Sequence, residues 1–172
     1  MDRYQAALTR MYDLQKFGIK LGLSSTENLL RRLGDPHLRL QCVHLAGTNG
    51  KGSVGAVLEA SLLAAGIKAG FYSSPHLVRF EERFRLAGRE ISPEKVLELA
   101  EAVWPAVDER EPPTFFEFIT AMALLWLAQE GAELAIIETG LGGRLDATNL
   151  VRPLATVITN IGGYLGDVMA VR

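Results

Sequence analysis

The chain has 172 residues, 48% hydrophobic and 22% charged, with 18 lysines and arginines against 20 acidic residues. That length suits one domain, the apolar fraction excludes intrinsic disorder, and a net charge of −2 without a dense basic run excludes a nucleic-acid partner. A lone cysteine, Cys42, rules out an internal disulfide; no apolar run approaches the roughly 20 residues of a membrane span, and Met-Asp-Arg-Tyr leads into no apolar signal core, so a cytoplasmic location with no membrane partner is expected.

Over residues 1–17, Tyr4, Leu8, Met11 and Leu14 recur at helical spacing, which predicts an amphipathic helix. Phe17 to Leu23 holds two glycines and has no clear period. Ser24 and Glu27 then have the spacing of a capping box, predicting a helix through Leu33 that Gly34 ends and Asp35-Pro36 prevents from continuing. Leu40 to Ala46 reads as a strand, and Val54, Val57, Leu58, Leu62 and Ala65 as a helical stripe closed by Gly66. Ala69 to Tyr72 reads as a second strand, completing a βαβ unit. Ser73 to His76 is a turn, and Arg83 to Leu86 pairs with Arg89 to Ile91 as a hairpin about Ala87-Gly88.

Ser92-Pro93 starts a helix in which Val96, Leu97, Ala100, Val103, Trp104 and Val107 extend to about Asp108, before Pro112-Pro113 breaks the chain. Thr114 and Glu117 form a second predicted capping box, opening a helix with Phe118, Met122, Leu125 and Trp126 on its apolar face and Gly131 at its end. Leu134 to Ile137 and Leu154 to Ile158 are apolar runs without polar alternation, the pattern of strands buried on both faces. The expected fold is a three-layer α/β domain of the phosphate-loop type, a mainly parallel sheet with helices on both faces.

Gly47-Thr48-Asn49-Gly50-Lys51-Gly52-Ser53 lies between a predicted strand and a predicted helix. A glycine-rich turn there exposes backbone N–H groups at the positive end of a helix and supplies a lysine, so it should bind a nucleoside triphosphate. The general pattern places Ser or Thr directly after the lysine, whereas Gly52 intervenes before Ser53. A plain glycine turn with a solvated lysine is the competing reading. Three further segments follow predicted strands: Ser73 to His76, Glu138 to Gly143, and Thr159 to Gly163. In a parallel sheet with right-handed crossovers these ends share one edge, where ligands of open α/β folds bind. Glu138, ending an apolar strand, must reach water, a cation or a donor; magnesium beside the turn would satisfy it, and a solvent-facing acid is the alternative.

Together these residues resemble the folylpolyglutamate synthase and dihydrofolate synthase family, a branch of the Mur ligase group of ATP-dependent amide-forming enzymes. The resemblance rests on Phe17 to Pro36, His44 to Ser53, Tyr72 to Leu77 with Arg79 to Arg83, Thr114 to Glu117, and Glu138 to Asn149, in order over residues 17 to about 161. It accounts for Gly52, because that family's turn carries glycine after the lysine. It implies a reaction in which ATP phosphorylates a folate or dihydropteroate carboxylate and L-glutamate attacks the acyl phosphate. Lys51 and the residues from Gly47 to Ser53 would bind ATP, with Lys51 and Glu138 acting in catalysis. Ser74 and Glu138 would hold Mg2+, while Thr114, Phe115, Phe116, Glu117, Leu145, Asp146 and Ala147 would line the pteroate side.

Thr114 and Glu117 are equally explained by the capping box alone. His44 reads as a structural residue inside a strand, Cys42 as core, and His76 as a loop histidine without a proton-transfer role. The family usually continues from Thr-Asn-Ile-Gly into Leu-Asp-His and later a carbamylated lysine, whereas this chain runs Gly162-Gly163-Tyr164-Leu165-Gly166-Asp167. The expectation is an amino-terminal, truncated ATP-binding domain, residues 1–172, without the carboxyl-terminal domain and with little activity alone. Surfaces that the missing parts would cover should promote self-association. A non-catalytic nucleotide- or folate-binding module is the second reading, and another phosphate-loop kinase or GTPase ranks last.

Overall fold

A computed structural model describes residues 2–18, 20 and 22–162; Gly163 and the segment Tyr164 to Asp167, where the sequence departs from the family pattern, lie outside the described residues. Helix α1 (Arg3–Tyr12) is capped by Asp2, whose carboxylate accepts from the Tyr4 amide, and runs directly into a 3-10 turn at Asp13–Phe17. Met11 and Leu14 are buried as their spacing requires. Helix α2 (Ser24–Arg32) follows, but the expected Ser24–Glu27 capping box does not form. Leu23 is the cap and already lies near the helical basin, so the Glu27 amide bonds the Leu23 carbonyl and the Ser24 hydroxyl donates to Glu111 instead.

Strand β1 (Cys42–Ala46) leads to α3 (Lys51–Ala64) and β2 (Ala69–Tyr72). The hairpin β3 (Phe84–Leu86) and β4 (Arg89–Glu90) follows, then α4 (Pro93–Val103), α5 (Phe115–Gln129), β5 (Leu134–Glu138) and β6 (Ala155–Ile158). Ser92 caps α4, which ends at Val103 rather than near Asp108, because Pro105 diverts the chain into a 3-10 turn. The sheet order is β4-β3-β2-β5-β1-β6, with β2, β5, β1 and β6 parallel and the hairpin antiparallel at one edge.

Helices cover both faces, unequally. On one face α1, α2, α4 and α5 bury a large cluster against Tyr72, Phe84, Ala135 and Ile137. Helix α5 is buried continuously from Glu117 to Leu127, which fits its apolar composition on every side. Among the described residues α3 alone covers the other face, packing on Leu45, Phe71 and Ile136. Its buried positions are Gly55 and Glu59, while Val57, expected in the stripe, is 67% exposed. A Cβ at Gly55 would lie 2.3 Å from the Phe71 ring, so the missing side chain lets α3 approach β2 along that line and turns Val57 outward. Strand β6 also departs from expectation: Leu154 and Ile158 are exposed, because β6 pairs with β1 and no described element covers its outer edge. No helix among the described residues is long and apolar enough to cross a membrane.

Candidate active site

Strand β1 delivers the chain to Gly47, at φ +137°, and Gly50, at φ +82°, caps α3. Lys51, Gly52 and Ser53 are therefore the first helical turn, and their amides have no intrahelical acceptor. The segment after β6 clamps this turn. The Thr48 amide donates to the Asn160 carbonyl, the Asn49 amide to the Asn160 side chain (2.9 Å), the Thr159 hydroxyl to the Asn49 carbonyl (2.6 Å), and the Gly162 amide to the Thr48 hydroxyl (2.9 Å). Thus the loops after β1 and β6 form one unit, and the first-turn amides stay directed along the positive end of the α3 dipole.

Parallel register sets Glu138 opposite Leu45, one residue before the end of β1. Its carboxylate is buried; Oε1 lies 3.9 Å from Lys51 Nζ and Oε2 accepts from the Ser74 amide at 3.3 Å. Burial pushes its pKa up, opposed by the Ser74 amide and by the charges of Lys51 and Arg83. Lys51 Nζ also donates to the Gly47 carbonyl at 2.9 Å. The Ser74 hydroxyl, beside a cis Ser74–Pro75 bond, is buried without a hydrogen-bond partner. A Cβ at Gly52 would face Glu138 Oε2 at 4.0 Å, so the space above the carboxylate stays open because Gly52 has no side chain. A buried hydroxyl without a partner, a hard carboxylate and open space beside an anion-binding turn fit a magnesium ion that keeps water and phosphate oxygens in its remaining positions. Among the described residues no group of three or more His, Cys, Asp or Glu side chains could hold a metal by itself.

From Ser74 a cleft of about 530 Å³ runs between the β2 and β5 loops and the start of α5. Thr114, Phe115, Phe116, Glu117, Leu145, Asp146 and Ala147 all line it. Thr114 and Glu117 form the capping box: the Glu117 amide donates to the Thr114 hydroxyl, and the Thr114 amide to Glu117 Oε2 at 2.6 Å. Glu117 Oε1 accepts from Thr26, so both carboxylate oxygens are occupied and Glu117 braces the wall. Asp146 is likewise occupied: Oδ2 accepts from the amides of Gly140 and Leu141, and Oδ1 from the amide and hydroxyl of Thr148. Burial raises its pKa against these four donors.

The Thr148 hydroxyl proton is committed to Asp146, so His44 Nε2, 2.8 Å away, donates to Thr148. His44 is fully buried, and burial lowers its pKa to about 4, so it is neutral and structural at neutral pH. Burial raises the Cys42 thiol to about 11, consistent with core packing. Sequence reasoning gave no role to Arg83, Lys20 or Gln15, all of which line the cleft. Arg83 and Gln15 sit in 3-10 turns and Lys20 in an irregular segment, where no periodicity marks a functional face, and only the fold brings them to the cleft.

The sheet order, the clamped glycine turn and the adjacent strand-end carboxylate define an α/β domain of the phosphate-loop type. No family model matches the chain. It is, however, 43% identical over 165 residues to dihydrofolate synthase/folylpolyglutamate synthase of Bacillus subtilis, covering 92% of this chain and 38% of the relative. It is 39% identical over 175 residues to the probable bifunctional folylpolyglutamate synthase/dihydropteroate synthase of Haloferax volcanii, covering 97% and 21% respectively. The crystal structure of Thermotoga maritima folylpolyglutamate synthase superposes with a TM-score of 0.87 at 42% identity, over 94% of this chain and 38% of that one. Escherichia coli FolC in complex with DHPP and ADP gives 0.83 at 38% identity, over 91% and 38%. The chain belongs to the folylpolyglutamate synthase/dihydrofolate synthase family, and it spans well under half the length of these relatives.

Proposed function

We propose that this chain is the nucleotide-binding part of an ATP-dependent carboxylate–amine ligase that joins L-glutamate to a folate or dihydropteroate carboxylate through an acyl phosphate. The observation that carries this reading is the cluster of Lys51, Glu138 and Ser74 beneath the glycine turn, at the end of a cleft large enough for an aromatic acyl substrate. Similar proteins include a bifunctional folylpolyglutamate synthase/dihydrofolate synthase with Mn, AMPPNP and L-glutamate bound.

In this reading, first-turn amides from Lys51 to Ser53 and the Lys51 ammonium balance the charge of the triphosphate. The amides are fixed by α3 and by the Thr159–Asn160 clamp, so little reorganisation accompanies phosphoryl transfer. Ser74 and Glu138 would hold Mg2+, which supplies charge neutralisation on phosphate oxygens when bound. Phe115, Phe116, Leu145 and Ala147 provide apolar wall for the pteroate ring system, with Thr114, Glu117 and Asp146 fixing the backbone of that wall. The acyl carboxylate oxygen bonds to the γ-phosphorus as the bond to ADP breaks. The amine of glutamate then attacks the acyl carbon and inorganic phosphate leaves. The setting is cytoplasmic, and the exposed Leu154, Ile158 and Ile161 beside the open β6 edge favour self-association.

Calorimetry with Mg·ATP and with pteroate should show saturable binding of each to the 172-residue chain. Glutamate-dependent ADP release should fall far below that of an intact ligase, because the chain covers only 38% of such a relative. Binding of neither ligand overturns the reading. Binding with no turnover, even after the remaining length of a relative is supplied in trans, favours the non-catalytic binding module.

A further inference from the structure

Arg83 ends the 3-10 turn Phe80–Arg83 and enters β3 with only 7% of its surface exposed, on the wall of the cleft. Its Nε donates to His76 Nδ1 at 2.7 Å, and its guanidinium lies 5.7 Å from the centre of the Phe115 ring. Among the described residues it has no ion pair, and its two Nη groups make no hydrogen bond. Two carboxylates act on it electrostatically, Glu138 and then Glu82, but the Glu138 oxygens are directed to the Ser74 amide and toward Lys51, and those of Glu82 accept from the Leu77, Val78 and Arg79 amides. A buried cation without a counter-ion is expensive unless an anion from outside completes it.

We propose that the Nη fork of Arg83 binds the carboxylate of the acyl substrate, the group that becomes phosphorylated. This assignment rests on the acyl-ligase reading above and names the residue that orients its reactive group. Arg83 shares the cleft with Ser74 on the nucleotide side and with Phe115 and Leu145 on the pteroate side. A carboxylate there lies between the triphosphate turn and the aromatic wall, where it must be to meet a transferring phosphoryl group. The planar guanidinium suits a bidentate carboxylate, and Phe115 removes competing water from one of its faces. His76 is a positioning residue: an unprotonated Nδ1 accepts the Nε–H hydrogen bond and leaves both Nη groups for substrate. Its ring is held in turn against Phe80, centroids 6.2 Å apart.

The test compares pteroate with its carboxamide by calorimetry, with Mg·ATP as a separate arm. The wild-type chain should prefer the acid by about 10- to 100-fold, the range expected for losing a charge-assisted hydrogen bond. Arg83→Met should reduce that preference to less than about threefold while leaving Mg·ATP affinity unchanged, and Arg83→Lys should restore part of it. His76→Asn, which keeps an acceptor at the Nδ1 position, should retain the preference, whereas His76→Phe should lose most of it. Equal binding of acid and amide by the wild type overturns the assignment without needing any variant. So does an undiminished preference in Arg83→Met, or a fall in Mg·ATP affinity that matches the fall for pteroate, which would give Arg83 to the nucleotide phosphates. Failure of the wild type to bind either pteroate compound overturns the acyl-ligase reading and this assignment together.

Discussion

Replacing Gly47 by alanine isolates the geometry of the phosphate turn. At φ +137° an L side chain is strained by about 1–3 kcal/mol. The new Cβ would lie 2.0 Å from the Thr159 hydroxyl oxygen, forcing that side chain to rotate and give up its bond to the Asn49 carbonyl, a further loss of about 1 kcal/mol. The amide nitrogens of Thr159 and Asn160, at 3.1 and 3.2 Å, restrict escape in the same direction. Together these give about 2–4 kcal/mol, which for a chain of this size lowers Tm by about 4–16 °C. Differential scanning calorimetry measures the shift, and Mg·ATP titration should show affinity down at least about tenfold as the clamp opens. A Thr159→Ala background removes the side-chain collision but leaves the strained φ, so it should return only the smaller share. Unchanged Tm and affinity in Gly47→Ala, or full rescue by Thr159→Ala, would refute the reasoning.

Three other outcomes follow from the same structure. His44 has a folded-state pKa of about 4 against 6.5 when unfolded, so its contribution is complete above pH 6.5 and is lost as pH falls toward 4, about 3 kcal/mol in all. Urea unfolding of the wild type and His44→Gln across that range should show this slope only in the wild type; the raised carboxyl pKa values of Glu138 and Asp146 act in the opposite direction and are common to both. Thr148→Val strands the His44 donor and removes the hydroxyl bond to Asp146 while keeping the Thr148 amide bond, so it should destabilise by about 1–3 kcal/mol and, by loosening Asp146, accelerate amide hydrogen exchange at Gly140 and Leu141. Replacing Leu154 and Ile158 by lysine should shift sedimentation toward the monomer at concentrations where the wild type associates, and identical sedimentation would remove the open edge as its cause.

Much of this architecture was readable from residue order. The Thr114–Glu117 box, the Gly66 and Gly131 stops and the hairpin about Ala87-Gly88 are local signals, and all appear where their chemistry places them. The Ser24 box failed because sequence spacing does not reveal that Leu23 enters the helical basin first. The α3 stripe failed at Val57 because contact with Phe71 passes through a glycine, a choice made by tertiary packing. Strand β6 had the composition of a central strand, but its burial depends on neighbours that composition cannot count. At the site, the position of the turn and of Glu138 followed from topology, since parallel strands bring their carboxyl ends to one edge. Arg83 and His76 lie within the segments that carry the family resemblance, but their pairing was illegible because the bond joins a loop to the end of a 3-10 turn, and only folding makes them part of one wall.

The most direct measurement of the nucleotide site is a calorimetric titration of Mg·ATP into the wild-type chain and Lys51→Ala. Loss of the ammonium held between the Gly47 carbonyl and Glu138 should weaken binding by at least about tenfold. Equal affinities would contradict the assignment of the turn from Gly47 to Ser53 to a triphosphate.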